Sequence, residues 1–206
     1  MSAVKVDSSL FDGLIKRNTL LSSGLVIAPV VAFSNTVVKS LLLAFAFSMI
    51  TFLTLMISVF VPRRRVYTFR IILYTVIASV VYVPVYAMAS DIFGGEIEAF
   101  GIFFPLLITN SLIVLQSELI FFRKPMDKML VTVIFYIIGF DAAVIVIGAL
   151  REILAFGTFF GSMVLAEAPA PGFSRTFGGF MLLGLAAALY RKLLDFAGVK
   201  RDKEQK

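Results

Sequence analysis

The sequence predicts an all-α membrane protein of six transmembrane helices, built as two inverted three-helix repeats with broken first and fourth helices. Three observations predict it. Hydrophobic residues make up 60% of the 206 positions, charged residues only 16%, and the mean hydropathy is +0.98, well outside the range of soluble domains. The apolar residues fall into six blocks, at 20–37, 41–61, 68–89, 100–122, 129–155 and 177–196, each near the roughly 20 residues that a spanning helix needs. Finally, a six-span chain sorts its basic residues by side: 16 of the 19 Lys and Arg fall on the side of the termini, leaving Lys39, Arg151 and Arg175 opposite. By the positive-inside rule that side is cytoplasmic.

The chain divides into an N-terminal segment, 1–19, a membrane domain, 20–196, and a basic cytoplasmic tail, 197–206. In the first segment Leu10, Phe11, Leu14 and Ile15 share one helical face beside Lys16 and Arg17, the pattern of a short helix lying on the cytoplasmic interface. It lacks the unbroken apolar core of a cleavable signal.

Block one reads Gly24, then Pro29, then Ser34, Asn35 and Thr36. Block four reads Gly101, then Pro105, then Thr109, Asn110 and Ser111. Each has a glycine, a proline, a short apolar run and an asparagine between hydroxyl residues. Three blocks lie in each half, so the second copy enters from the side opposite the first, the inverted-repeat arrangement of many transporters. Proline removes a backbone donor and displaces the carbonyl four residues back, which in hydrocarbon costs several kcal/mol unless other groups answer. Asn35 and Asn110 are the local candidates. Two kinks with polar repair would satisfy the pattern, but its occurrence twice favours a midplane site of half-helix ends formed by Ala28, Pro29, Asn35, Pro105, Thr109, Asn110 and Ser111.

Block two holds Leu55, read as lipid-facing. Block four ends near Glu118, within reach of Arg123 and Lys124, so a salt bridge there competes with a role in ion or proton relay. Asp141 lies about twelve residues into block five, near the bilayer centre, and is read as a buried hydrogen-bonding group. With Ile145, Gly148 and Glu152 it forms one helical stripe that must face protein or water. Arg151 and Glu152 are read as interface or capping groups.

Several chemistries are excluded. Cysteine and histidine are both absent, which removes disulfides, thiolate metal sites, ordinary zinc and haem sites, and Ser-His-Asp or Cys-His catalysis. The net charge of +6 sits in clusters at block edges, where it marks topology, so nucleic acid is not an expected partner. The lipid bilayer is.

The stretches 28–36, 100–110, 116–118, 148–154 and 157–160 resemble, in order and spacing, the paired six-helix membrane subunits of the Rnf and Nqr complexes. These complexes are ion-translocating ferredoxin:NAD and NADH:quinone oxidoreductases, and the resemblance is closest to the E-type Rnf and D-type Nqr subunits. It implies a multi-pass subunit of a bacterial or archaeal cytoplasmic (inner) membrane with N and C termini cytoplasmic. The implied partners are a homologous six-helix membrane subunit and other complex subunits. It also implies a 2Fe-2S cluster shared with the paired subunit, held by a cysteine before the first proline and another after the second Thr-Asn. Here those positions are Ala28 and Ser111, so no cofactor is expected on this chain. The loss is divergence or engineering, and changes elsewhere, such as those in 40–47, favour divergence.

The leading expectation is thus a subunit, at most non-catalytic, of a redox-driven ion translocase. A stand-alone inverted-repeat transporter or channel is the alternative, and a membrane-embedded enzyme the least supported. The topology is directly testable in this cysteine-free chain. In intact cells an impermeant thiol reagent should label Gly95→Cys, between blocks three and four, and spare Lys203→Cys; the reverse pattern overturns the orientation.

Overall fold

In the computed structural model, residues 18–21, 24, 26–62, 64 and 66–196 are described. The expected interfacial helix at 10–15 and the basic tail lie outside them. The described chain is almost entirely helical. A short helix α1 (Ile27–Phe33) precedes the long α2 (Val37–Ser58) and α3 (Tyr67–Phe93). Then come α4 (Glu96–Phe100), α5 (Phe103–Leu106), a 3-10 turn (Leu107–Thr109) and a π-helical segment (Leu112–Phe121). The long α6 (Met126–Phe156) follows, with a small hairpin of β1 (Thr158–Phe159) and β2 (Ser162–Met163), a second 3-10 turn (Pro171–Ser174) and α7 (Thr176–Phe196).

Five stretches are long and apolar enough to cross a membrane: α2, α3, Phe103–Phe121, α6 and α7. Within the first of the six apolar blocks the described helix has only seven residues and ends at Phe33. The helix ends have local causes. Thr36 is extended and its side chain accepts a hydrogen bond from the Lys39 N–H, so it caps α2 as hydroxyl residues do. Gly157 ends α6 in the left-handed conformation at φ 69 that favours glycine.

The prolines act differently from the sequence expectation. Pro29 is the third residue of α1 and Pro105 the third of α5. In a first helical turn the missing N–H has no intrahelical partner to lose, so each proline starts a short helix. The interruptions come later, at Ser34 to Thr36 and at Asn110.

Helix α2 lies at the centre, packed on α3 along one side and α6 along the other. Phe47 and Phe140 stack with ring centroids 3.8 Å apart. The stripe of Asp141, Gly148 and Glu152 faces α2, where Asp141 meets Ser48 and Glu152 meets the Val37 N–H. Central placement also explains why Leu55 is fully buried, not lipid-facing. The lipid-exposed positions of α2 are Leu53 and Ile57. Ile72, Val76, Val80 and Val83 on α3, with Phe180, Leu185 and Leu189 on α7, are also exposed. They give the protein its apolar outer surface, the counterpart of a bilayer.

The closest approach of α2 and α6 is at Gly148. A Cβ there would stand 1.7 Å from Ser40 Oγ and 2.7 Å from Ser40 Cβ. Gly148→Ala should therefore destabilise the fold by about 1–3 kcal/mol, read as a lower Tm in detergent. Adding Ser40→Gly should recover more than half of the loss, and no recovery would mean that this contact does not set the helix spacing.

Candidate functional site at two helix breaks

A helix that ends inside the protein exposes carbonyls at its C-terminus, and the next helix exposes N–H groups at its N-terminus. The first break, between α1 and α2, leaves both kinds of group facing the C-terminal end of α6. Arg151 and Glu152 of α6 answer them, and both are almost fully buried. Arg151 Nη1 donates to the carbonyls of Val31 and Ser34 at the end of α1, each at 2.9 Å. Its Nε and Nη2 donate to the carbonyls of Phe173, Ser174 and Arg175 around the second 3-10 turn, at 3.1, 3.4 and 3.3 Å. The guanidinium carries five N–H donors in a fixed fork, and here five carbonyls from two chain segments receive them.

Glu152 works in the opposite sense. Its Oε2 accepts from the Val37 N–H at 2.7 Å, at the N-terminus of α2. Its Oε1 accepts from Gly161 N–H at 2.8 Å and Thr158 Oγ1 at 3.1 Å, which fastens the hairpin. The cation therefore sits at a helix C-terminus and the anion at a helix N-terminus, the pairing that helix dipoles favour. Gly179 of α7 makes room for the cation: a Cβ there would stand 3.0 Å from both Arg151 Cζ and Val31 Cγ1.

The second break is answered by its own residue. Asn110 Oδ1 accepts from the N–H groups of Leu112 and Ile113, and its Nδ2 donates to the Leu107 carbonyl and to Thr51 Oγ1 of α2. One amide thus caps the end of the 3-10 turn, the start of the next segment and the contact with α2. Asn35 does not play the matching part. Its Oδ1 is buried without a hydrogen-bond partner among the described residues, and Arg151 and Glu152 instead answer the backbone groups at this break.

The breaks also differ in level. The first faces the start of α2 at Val37, whereas the second faces Thr51, fourteen residues and about 21 Å of helix rise further along. The short helices α1 and α5 do touch, and beside them Phe33 stacks on Phe100 at 4.0 Å. Around that contact Pro29 is buried, Ala28, Pro105 and Thr109 are exposed, and Ser111 is half-buried.

The remaining acids are placed as follows. Glu118 pairs with Arg70 of α3 at 2.9 Å and accepts from Tyr74 Oη. This replaces the expected partners Arg123 and Lys124; Lys124 instead donates to Thr132 Oγ1. Arg70 stands one turn into α3, and sequence distance concealed it. Asp141 accepts from Ser48 Oγ. Sequence reasoning also missed the hydroxyl stripe of α2, Ser48, Thr51, Thr54 and Ser58, although its helical spacing in an otherwise apolar block was a readable signal.

This fold of broken helices around a central pair can be compared with known proteins. The family described as Rnf-Nqr subunit, membrane protein, matches residues 6–190. The chain belongs to the Rnf-Nqr subunit family. Among its Rnf-Nqr relatives, a protein of Thioalkalivibrio sulfidiphilus is 30% identical over 94% of this chain and 91% of its own length. One of Edwardsiella ictaluri is 31% identical over 72% of this chain and 63% of its own length, and one of Yersinia pestis 32% over 73% and 65%. All three are named as the E-type subunit of an ion-translocating oxidoreductase complex. The chain thus spans a little under two thirds of the Edwardsiella and Yersinia proteins.

The positions at which the Rnf and Nqr resemblance places cluster ligands do not fit iron here. Ala28 offers a methyl group, and Ser111 a buried hydroxyl without a partner among the described residues. Neither supplies a thiolate.

The first break is the more exacting of the two. Arg151→Ala leaves five carbonyls without their donor and should cost more than about 3 kcal/mol, seen as loss of the monodisperse peak in detergent. Arg151→Lys, with three donors on a point charge, should fall between the two. Equal behaviour of Lys and Arg would show that charge alone, and not the fork, holds the break.

Proposed function

We propose that this Rnf-Nqr subunit family member is an integral membrane subunit of an ion-translocating oxidoreductase complex. It would reside in a cytoplasmic (inner) membrane with both termini in the cytoplasm. The relatives' shared name supports the complex, and the basic-residue asymmetry supports the orientation. On this reading it serves as scaffold and ion-path wall and contributes no 2Fe-2S ligand of its own.

One observation carries the docking part of the reading. The two short helices meet, and the face beside their contact is left open: Ala28, Ile102, Pro105, Leu106 and Thr109 are exposed. Asn110 and Ser34, at the two breaks, are both buried. A homologous six-helix membrane subunit seated on this face would cover the ends of both short helices at once.

The test is gentle purification from native membrane with identification of the accompanying chains. Wild type should bring down a homologous membrane subunit. Ala28→Trp should cut its recovery at least about fivefold, equivalent to roughly 1 kcal/mol of docking energy, while Ile57→Trp on the lipid-facing side of α2 should leave it unchanged. A wild-type chain that emerges alone and moves a solute in liposomes would support a stand-alone transporter instead.

A further inference from the structure

Three acids of the spanning segments are largely buried, and their partners set one of them apart. Glu118 has the Arg70 guanidinium and the Tyr74 hydroxyl. Glu152 has two backbone N–H groups and a threonine hydroxyl. Asp141 has Ser48 alone, and its Oδ1 is buried with no hydrogen-bond partner among the described residues. It lies about halfway along the 31-residue α6, where a carboxylate answered by one hydroxyl is among the costlier groups a membrane protein can hold.

Among the described residues no side-chain cation pairs with it. Of the ionisable groups on elements packed against α6, Lys39 of α2 lies over the Phe33 ring and Glu118 of the π segment is held by Arg70. Tyr190, Arg191, Lys192 and Asp195 fall in the last turns of α7. On α6 itself Arg151 and Glu152 are committed to the first break, and Asp127 and Lys128 lie in its first turn. The ring of Tyr136, one turn earlier on α6, packs against Phe121.

A second feature leads away from this carboxyl group. From Ser48, hydroxyls recur on α2 at Thr51, Thr54 and Ser58, spacings that keep them on neighbouring turns of one side. Thr54 and Ser58 are 0% and 1% exposed, yet their hydroxyls have no hydrogen-bond partner among the described residues. The π segment packs against α2, and at its start and within it Ser111 Oγ and Gln116 Oε1 are likewise buried and unpartnered among those residues. Unsatisfied oxygens in such number mark a place for water or an ion, and π-helical geometry is frequent at functional sites.

We propose that Asp141 and Ser48 form a binding position for a monovalent cation, a proton or Na+, and that Thr51, Thr54 and Ser58 line its route toward the basic end of α2. The cation neutralises the carboxyl group and takes the coordination that Oδ1 lacks. The route ends where α2 gives way to Pro62 and Arg64. The position is built from this chain alone; its part in ion translocation rests on the subunit reading.

The experiment uses the full chain in native membranes and the apolar reagent dicyclohexylcarbodiimide, which modifies protonated carboxyl groups, with the modified peptide identified by mass spectrometry. Asp141 should be labelled, and Asp141→Asn should remove that label while the chain is recovered at wild-type level. If Na+ is the cation, saturating NaCl in place of KCl should slow labelling at least about fivefold by mass action. If the proton is, NaCl should have no effect and labelling should fall as pH rises. Ser48→Ala should shift the rate in either case. Labelling indifferent to both NaCl and pH, or labelling of other membrane carboxyls with none at Asp141, overturns the site. Absence of a co-purifying subunit would strike the subunit reading and leave this result standing.

Discussion

A helix terminus inside a membrane protein is an electrostatic problem before it is a structural one. The interruption after α1 puts bare carbonyls and bare N–H groups side by side near the C-terminal end of α6, where no strand or continuing helix takes them up. Two adjacent residues of α6 resolve it, and they need to be adjacent. Arg151 reaches back to the end of α1 and Glu152 reaches forward to the start of α2, so the spacing between two helix ends matches the spacing between two side chains on one turn. Much else is then fixed. The same guanidinium holds the turn before α7, the same carboxylate holds the hairpin, and Gly179 lets α7 approach the guanidinium closely.

The two halves of the chain solve a shared problem with different chemistry. In the first half the answer comes from a distant helix and is charged; in the second it comes from Asn110 and is neutral. The difference follows from what each break must join. After the first, the chain turns directly into the central helix α2, which packs against α6, and the end of α1 comes within reach of the Arg151 side chain. After the second, the chain continues in a ten-residue π segment, and a single amide can cap both sides and still touch Thr51. The repeat is therefore one of sequence and order more than of detailed geometry.

That difference also explains what the sequence disclosed. Hydropathy blocks and basic clusters report on solvent, and solvent decides that the chain is a multi-pass helical protein, so this much was legible. The repeated pattern of glycine, proline and hydroxyl-Asn-hydroxyl marked where the breaks lie, but the sequence expectation ascribed them to the prolines, whereas the helices end at the hydroxyl-Asn-hydroxyl runs. Which atoms answer a break was not legible. Asn35 and Asn110 look equivalent in sequence, but Asn110 is bonded on every side while Asn35 Oδ1 finds no partner among the described residues, since the decisive groups of the first break lie more than a hundred residues away. The pairing of Glu118 with Arg70, 48 residues away, was hidden by sequence distance too. Leu55 was misplaced because the hydroxyl stripe of Ser48, Thr51, Thr54 and Ser58, beside which it lies, marks a covered face of α2 and went unread.

The separation of structural and ligand positions bears on how this scaffold tolerates the absence of cysteine. Ala28 stands at the exposed start of α1, whereas every hydrogen bond that Arg151 makes to α1 is at its other end, at Val31 and Ser34. Ser111 follows Asn110 but is not among the groups that hold the second break; Asn110 bonds on either side of it to Leu112, Leu107 and Thr51. The side chains at these two positions therefore take no part in the hydrogen bonds that hold either break. The groups that hold the helix breaks are thus distinct from the positions at which the family resemblance places cluster ligands. The polar atoms at Asp141, Thr54, Ser58 and Gln116 that are buried without a partner among the described residues lie apart from the hydrogen bonds that hold either break.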